Sequence, residues 1–441
     1  MSTSSNSAAY FLAVTARLIV AGIIGLLMIP AQAAGDGTLR LDDLIEEALK
    51  NSPEVLMLQA RTVAARHQIP QAESLADPMI MFGYQNEGFD SITYSEMPDS
   101  QFMFSASQML PYPGKRALKG EMAKQEAKSL DANTTTIRLT AIRLITELFY
   151  DLFLTYKNLD IISDRASLFG RLEDAASARY SSGMGSLQEV VMAQTEKYML
   201  LEQETMQRQK ITSLEAMLHS AIGRSGNEPL GVPVEPRYSE IAYTPDEALG
   251  LAAINSPLIA AKERMIAAAE AKIALAEKEY YPDFTVTGTI GEKGSDFDDM
   301  WSITTSINVP IYYQTKQREA VFEAKAQRNE AQQDLAAVKL MVAATLKDNY
   351  AMAESSGKLM DLYKGGLIPK TYQDFELALN EYMNGKSEAL TVINRLKTLL
   401  DFELAYWERF TDRGKAIARI ETIIGIETRA AARPLSQEDS Q

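Results

Sequence analysis

Four short stretches of the chain alternate apolar and polar residues with a period of two. In 283–290, Phe284, Val286 and Ile290 share one face while Asp283, Thr285, Thr287 and Thr289 share the other. In 301–309, Trp301, Ile303, Ile307 and Val309 oppose Ser302, Thr304, Ser306 and Asn308. The earlier pair, 79–86 and 101–110, places Ile80, Phe82 and Tyr84, then Phe102, Phe104 and Ala106, on the apolar face. This alternation predicts strands of about 9–10 residues, long enough to cross a bilayer when tilted, with lipid outside and a polar lumen inside. A soluble hairpin packed on its own helices alternates in the same way.

The rest of the chain follows helical spacing. From Pro113 to Ser182 there is no further proline, and Ile142, Ile145, Phe149, Leu152, Tyr156 and Leu159 recur at 3,4,3,4,3 intervals, the seam of a coiled coil. A helix over 112–182 would be a rod of roughly 105 Å, and after Gly183 and Gly185 a second helix, 186–223, returns beside it. Later in the chain the corresponding helices are 311–384 and 386–425. There Lys364-Gly365-Gly366-Leu367-Ile368-Pro369 interrupts the long helix, where a kink or a short break with continuation is expected.

That second set is a duplication. Ala48-Leu49-Lys50-Asn51-Ser52-Pro53 returns as Ala252-Ala253-Ile254-Asn255-Ser256-Pro257 at an offset of 204. Gln108-Met109-Leu110-Pro111 corresponds to Asn308-Val309-Pro310, and Tyr180-Ser181-Ser182-Gly183 to Tyr382-Met383-Asn384-Gly385, at offsets of 199 and 202. One unit is thus used twice, over 41–223 and 243–425, with a linker at 226–242 and a tail at 426–441 expected to be disordered. Each unit opens with a short helix ending at Asn-Ser-Pro and a second helix, 53–76 or 257–281, leading to the strands. The fold class is mainly α with a small β part.

Composition narrows the function. Residues 1–33, with Arg17, the apolar run Leu18 to Ile29 and Pro30-Ala31-Gln32-Ala33, read as a secretory signal peptide. The chain has no cysteine and only His67 and His219, far apart in helix-like stretches, so thiolate or histidine metal centres and cysteine nucleophiles are not expected. There is no phosphate loop or nucleophile elbow either, so neither an enzyme nor a cofactor is expected. A net charge of -15 repels phosphate backbones and argues against nucleic acid. Methionine numbers 20, with Met79, Met81, Met97, Met103 and Met109 in or near the first strand pair. Thioethers bind soft ions such as Cu(I) and Ag(I), but methionine is more often packing or lipid-facing surface. Glu87, Asp90, Glu96 and Asp99, then Glu292, Asp296, Asp298 and Asp299, read as solvated acidic loops. Tyr112, Tyr280, Tyr281, Tyr312 and Tyr313 at the strand–helix junctions suit an interfacial aromatic girdle.

Four strands cannot enclose a membrane barrel, because the smallest have about eight, and an open edge in lipid is costly; the chain is therefore expected to oligomerise. At this point the residues resemble the TolC-like outer-membrane efflux factors. The resemblance rests on the duplicated order of elements, on Gln108-Met109-Leu110-Pro111-Tyr112-Pro113-Gly114-Lys115, and on Tyr180-x-x-Gly183 with Tyr382-x-x-Gly385. Asp299-Met300-Trp301, Val309-Pro310-Ile311-Tyr312, Gly366-Leu367-Ile368-Pro369 and Tyr382-Met383-Asn384-Gly385-Lys386 look like its heavy-metal branch. The resemblance implies a homotrimer in the outer membrane of a Gram-negative bacterium, with a 12-stranded β-barrel over a helical tunnel through the periplasm. It also implies docking to a periplasmic adaptor and an inner-membrane pump, commonly of the RND type. The adaptor-facing tips would be Gly183, Met184, Gly185, Ser186 and Leu187, with Gly385, Lys386, Ser387 and Glu388.

Two departures from the family stand out. Where some members carry acidic residues six and nine places after the second tip glycine, this chain has Thr391 and Asn394, although Glu189, six after Gly183, is placed to contribute to a first-half ring. The acylated N-terminal cysteine of several relatives has no counterpart. The function this implies is a passive exit duct for heavy-metal ions or small toxic compounds. The alternatives are an exit duct for type I protein secretion or drugs, and a soluble periplasmic coiled-coil adaptor.

Overall fold

A computed structural model describes residues 37–426 except Asn227 and Ser239. The signal peptide at 1–33 and the tail beyond 426 lie outside the described residues. The first unit comprises β1 (Thr38–Leu39), α1 (Leu41–Asn51), α2 (Pro53–Glu73), β2 (Met79–Gln85), β3 (Gln101–Leu110), α3 (Lys115–Ser181) and α4 (Leu187–Ile222). After β4 (Val232–Pro233) the second unit follows: α5 (Pro245–Asn255), α6 (Pro257–Lys278), β5 (Asp283–Glu292), β6 (Met300–Asn308), α7 (Gln317–Leu362), α8 (Ile368–Met383) and α9 (Ala389–Ile424).

The helix α3 alone has 67 residues, about 100 Å of rod. Against it lie α2 and α4, of 21 and 36 residues, one above the other, so two shorter helices nearly match one long one. The second unit stacks α6 and α9 in the same way beside α7 and α8. Packing orders the four columns as α2/α4, α3, α6/α9 and α7/α8, which leaves the first and last as open edges.

The duplication is visible in the packing. Leu44, Ile45 and Ala48 of α1 meet Ile142, Ile145, Phe149 and Leu152 of α3 and Leu214, Leu218 and Ile222 of α4. Ala248 and Ala252 of α5 meet Val338, Val342 and Leu346 of α7 and Ile420 and Ile424 of α9 in the equivalent place. The repeated Asn-Ser-Pro has a physical reason in this geometry. Gly223, with φ 79°, caps α4 so close to Asn51 that a Cβ would sit 2.5 Å from its carbonyl oxygen; Gly425, with φ 76°, repeats this at 2.4 Å from Asn255. Across the middle of the molecule α3 and α9 are tied by polar rungs, Glu147 with Arg419, Asp151 with Lys415 and Arg165 with Glu403.

The long helices begin later than the spacing predicts. Gly114 adopts φ 94° after Pro113, so α3 starts at Lys115 rather than 112, and turns occupy Ile311 to Lys316 before α7. From there the two units stay in step: 115 and 317, 181 and 383, 187 and 389, 222 and 424 are all 202 apart. The Gly-Gly-Pro stretch neither ends the helix nor adds a residue. It forms a π-helical turn, Tyr363–Leu367, through which the rod continues into α8. Pro369 lacks the amide that a regular helix would use here, and the wider turn absorbs the loss.

The four long strands form one antiparallel sheet in the order β2-β3-β5-β6, with β2 and β6 as edges. The register pairs Met81 with Ser105, Ser105 with Thr289, and Thr289 with Ser302. A small parallel pair, Thr38 with Val232 and Leu39 with Pro233, joins the linker to the start of the first unit.

Candidate functional site

The sheet has two chemically distinct faces. One carries Ile80, Phe82, Phe102, Phe104, Ile290, Trp301, Ile303 and Ile307, and several of these are bare on the protomer, Phe82 at 71% and Trp301 at 76%. The other carries Gln101, Ser105, Ser107, Thr285, Thr287, Thr289, Ser302, Thr304 and Ser306, with a Ser105–Thr289 hydroxyl bond of 2.9 Å. Met79, Met81, Met103 and Met109 lie on this polar face and not on the lipid-type face.

Below the sheet the chain changes from strand to helix around a buried cation. Lys115, its side chain 3% exposed, donates to Glu279 Oε2 (3.1 Å), the Tyr281 carbonyl (3.1 Å) and Asp283 Oδ1 (2.9 Å). The Tyr112 amide donates to the same Asp283 oxygen at 2.8 Å. The Tyr112 and Tyr281 rings stack at 4.5 Å, and the Lys278 ammonium lies 5.5 Å from each ring centre. Tyr280 and Tyr313 approach at 6.4 Å, while Tyr312 is exposed on its own. Four of the five tyrosines therefore meet in pairs at one level, outside the strands and exposed in part.

At the opposite end are the two helix–helix tips. Gly183 (φ 74°) and Gly385 (φ 72°) end α3 and α8 in the left-handed region, where glycine avoids the usual steric penalty. In the first tip the amides of Met184 and Gly185 donate to the Arg179 carbonyl at 2.8 and 3.0 Å; in the second the Lys386 amide donates to the Glu381 carbonyl at 2.8 Å. Ser186 and Glu388 occupy the positions just before α4 and α9 without a side-chain capping bond, with Ser387 preceding Glu388. Met184 and Leu187 are exposed apolar side chains.

The tips are tied together. Arg179 Nη1 donates to the Tyr382 carbonyl at 2.8 Å, Nη2 donates to the Met184 carbonyl at 3.0 Å, and the guanidinium lies 4.8 Å from the Tyr382 ring centre. The buried Tyr382 hydroxyl donates to Glu189 Oε2 at 2.8 Å. Burial and this carboxylate push the Tyr382 phenol up to about 12. Glu189 thus accepts from the other tip. Thr391 and Asn394 are exposed on the first turns of α9. Asn394 helps line an apolar groove of about 430 Å³ with Leu187, Val191, Leu390 and Ile393.

Arg179 and Lys115 are the residues that sequence reasoning did not single out. Lys115 does end the quoted Pro-Tyr-Pro-Gly-Lys run, but its partners and the Tyr382 partner of Arg179 lie across the duplication, out of reach of any local pattern. His219 is buried with Nε2 2.7 Å from the Glu228 carbonyl, and His67 is exposed on α2. Among the described residues no group of three or more His, Cys, Asp or Glu is arranged to hold a metal ion, and no helix is long and apolar enough to cross a membrane.

Comparison with known proteins adds to this geometry. A family model described as "Outer membrane efflux protein" matches residues 44–224 and 248–425, one match per unit. The cobalt-zinc-cadmium resistance protein CzcC of Cupriavidus metallidurans is 21% identical over 323 residues, covering 71% of this chain and 74% of its own. Among solved structures, CusC superposes with a TM-score of 0.76 at 15% identity, covering 88% of this chain and 92% of that one. The outer membrane protein VceC of Vibrio cholerae gives 0.74 at 20% identity, covering 87% and 96%.

Proposed function

This chain belongs to the outer membrane efflux protein family, and on that premise we propose that three copies close into one duct whose periplasmic tips seat an adaptor and an RND-type pump, with heavy-metal ions as cargo. The chain is an outer-membrane efflux channel whose helices extend into the periplasm. The observation that carries the trimer is the coincidence of open edges in both layers. Strands β2 and β6 have unpaired outer sides, and the helical columns beneath end in exposed apolar side chains: Leu56, Tyr198 and Met206 on one edge, Phe322, Leu340 and Leu377 on the other. Joining β6 of one copy to β2 of the next satisfies the backbone in lipid, and three copies supply twelve strands around a polar lumen.

Within that duct each group has a task. The apolar face meets lipid, the paired tyrosines sit at the membrane boundary, and Lys115 fixes the angle at which barrel becomes tunnel. Met184, Gly185, Ser186 and Leu187, with Lys386, Ser387 and Glu388, meet the adaptor. The Arg179–Tyr382–Glu189 tie holds the entrance narrow, with Thr391 and Asn394 beside it in place of a ring of charges. Metal cargo is supported by the likeness to a protein named for cobalt, zinc and cadmium resistance. Selection by the pump would leave the duct itself passive. Light scattering in detergent and conductance in planar bilayers test the reading: a trimer with stable ion-conducting steps is expected, and a monomer without conductance overturns it. Metal tolerance of a deletion strain tests the cargo.

A further inference from the structure

The polar face of the sheet carries an asymmetry that the duplication does not predict. Read upward from the helices, its first row holds Met109, Thr285 and Ser306. The second holds Met79, Ser107, Thr287 and Thr304, and the third Met81, Ser105, Thr289 and Ser302. The fourth holds Gly83, Met103, Gly291 and Met300. In these four rows the β2–β3 hairpin therefore supplies one thioether each, from β3, β2, β2 and β3 in turn, before the row of Gln85 and Gln101, where the β5–β6 hairpin has hydroxyls until Met300. Rows lie about 6.8 Å apart along a strand, so four of them span about 20 Å of the barrel wall.

Four of these methionines are open rather than packed. Met79 is 68% exposed on the protomer, Met81, Met109 and Met300 are also open, and Met103 lies over Gly83 with its Cε 3.8 Å from where a Cβ would stand. Nor do they meet lipid, because the opposite face holds Ile80, Phe82, Phe102 and Phe104. They project into the space that the closed barrel encloses, among hydroxyl groups.

We infer that this hairpin provides a ladder of weak thioether sites for soft monovalent d10 cations, the class of Cu(I) and Ag(I), along the lumen of the barrel. A thioether is a soft neutral ligand that suits such ions. One thioether per row binds weakly enough to release its ion to the next, as passage along a pore requires. The other soft or borderline ligands of the chain are methionines outside these rows: it has no cysteine, His67 lies on α2, and His219 is buried against the Glu228 carbonyl. This inference rests on the channel reading above and deepens it by naming a cargo class.

The test is conductance of the reconstituted full-length channel in nitrate electrolyte, with silver nitrate as the probe. Silver is expected to block wild-type current reversibly, and the half-blocking concentration is expected to rise at least tenfold in M79L/M81L/M103L/M109L, with silver-free conductance unchanged. A variant altered only at Met217 and Met265, exposed on the helices outside the barrel, is expected to behave as wild type. X-ray absorption of silver on the wild-type protein is expected to show sulfur neighbours, which in this chain are methionine alone. If the fourfold variant does not assemble, the single variants M81L and M103L are measured, with smaller rises expected. Normal conductance without silver block, block unchanged in the variants, or silver bound without sulfur neighbours overturns the inference and leaves the channel reading intact. Absence of conductance in the silver-free wild type overturns the channel reading itself.

Discussion

The Tyr382 hydroxyl donates to Glu189 at 2.8 Å, joining the second helical tip to the first within one protomer. The Tyr382 backbone carbonyl is at the same time held by Arg179 at 2.8 Å, so one residue receives both ends of the tie. Tyr382→Phe removes the hydroxyl and leaves the ring packed. A bond of this kind contributes about 1–3 kcal/mol. Its loss should raise single-channel conductance and admit larger solutes, and Arg179→Ala should raise both further. With the phenol at about 12, against an ordinary value of 10, the tie is fully present below pH 10 and is lost as pH rises through 12. Conductance in Tyr382→Phe identical to that of wild type at neutral pH would refute its role.

The register of the sheet gives a sharper test of which face meets lipid. Ile303 and Thr304 are neighbours on β6 and point to opposite faces. An arginine on the lipid side near the bilayer midplane costs about 2–4 kcal/mol, whereas one in the lumen is hydrated. Ile303→Arg should therefore reduce the yield of heat-resistant oligomer in outer membranes several-fold. Thr304→Arg should assemble normally and shift ion selectivity towards anions. The reverse pattern would turn the sheet inside out.

Gly223 and Gly425 make the same close approach in the two units. Alanine at either position adds the left-handed penalty of about 1–2 kcal/mol to a collision with a backbone carbonyl. Each variant should melt lower than wild type, and by similar amounts. Gly250, inside α5 with open space around it, is the opposite case: Gly250→Ala should stabilise by about 1 kcal/mol. Equal effects at all three sites would show that the close contacts carry no weight.

Asp412 on α9 is partly buried, and that burial raises its carboxyl above the ordinary aspartate range; neighbouring Glu408 acts in the same direction, while Arg409, bonded at 2.8 Å, opposes it with Lys415 and Arg419. A raised folded-state value means that the protonated form suits the fold, so stability falls as pH climbs from the ordinary value of 3.8 through the raised one. Asp412→Asn resembles the protonated form. It should melt about 1–3 °C higher than wild type at pH 7, with the difference shrinking towards pH 4. A constant difference at all pH values would assign the effect to packing.

Much of this architecture is legible along the chain because its signals are local. Strand alternation survives in Ile303 and Ser302, and the helix seam survives in Ile142, Ile145, Phe149 and Leu152, all buried. The face of Met79 and Met81 follows from their alternation with Ile80 and Phe82, once that face is known to be the outer one. What stays hidden depends on partners across the duplication. Nothing near Lys115 announces Glu279 and Asp283, and nothing near Arg179 announces Tyr382, because these contacts span 164 to 203 residues. The two-residue strands Thr38–Leu39 and Val232–Pro233 are too short to alternate. At Gly365 and Gly366 composition suggests an interruption, but the choice between a break and a wide turn is made by packing on α9, where the Tyr363 ring meets Phe402 at 5.9 Å.

That wide turn has a consequence for symmetry. With matched helix lengths, a trimer of this chain would present six nearly equivalent hairpins around its axis. The π-turn occurs in only one of each pair, and because it spreads one turn over more residues, everything below it is rotated relative to its counterpart in the first unit. Sixfold pseudosymmetry therefore holds above Tyr363 and reduces to true threefold symmetry at the tips. A partner built from six identical hairpins would meet two alternating kinds of seat, one headed by Met184 and the other by Lys386.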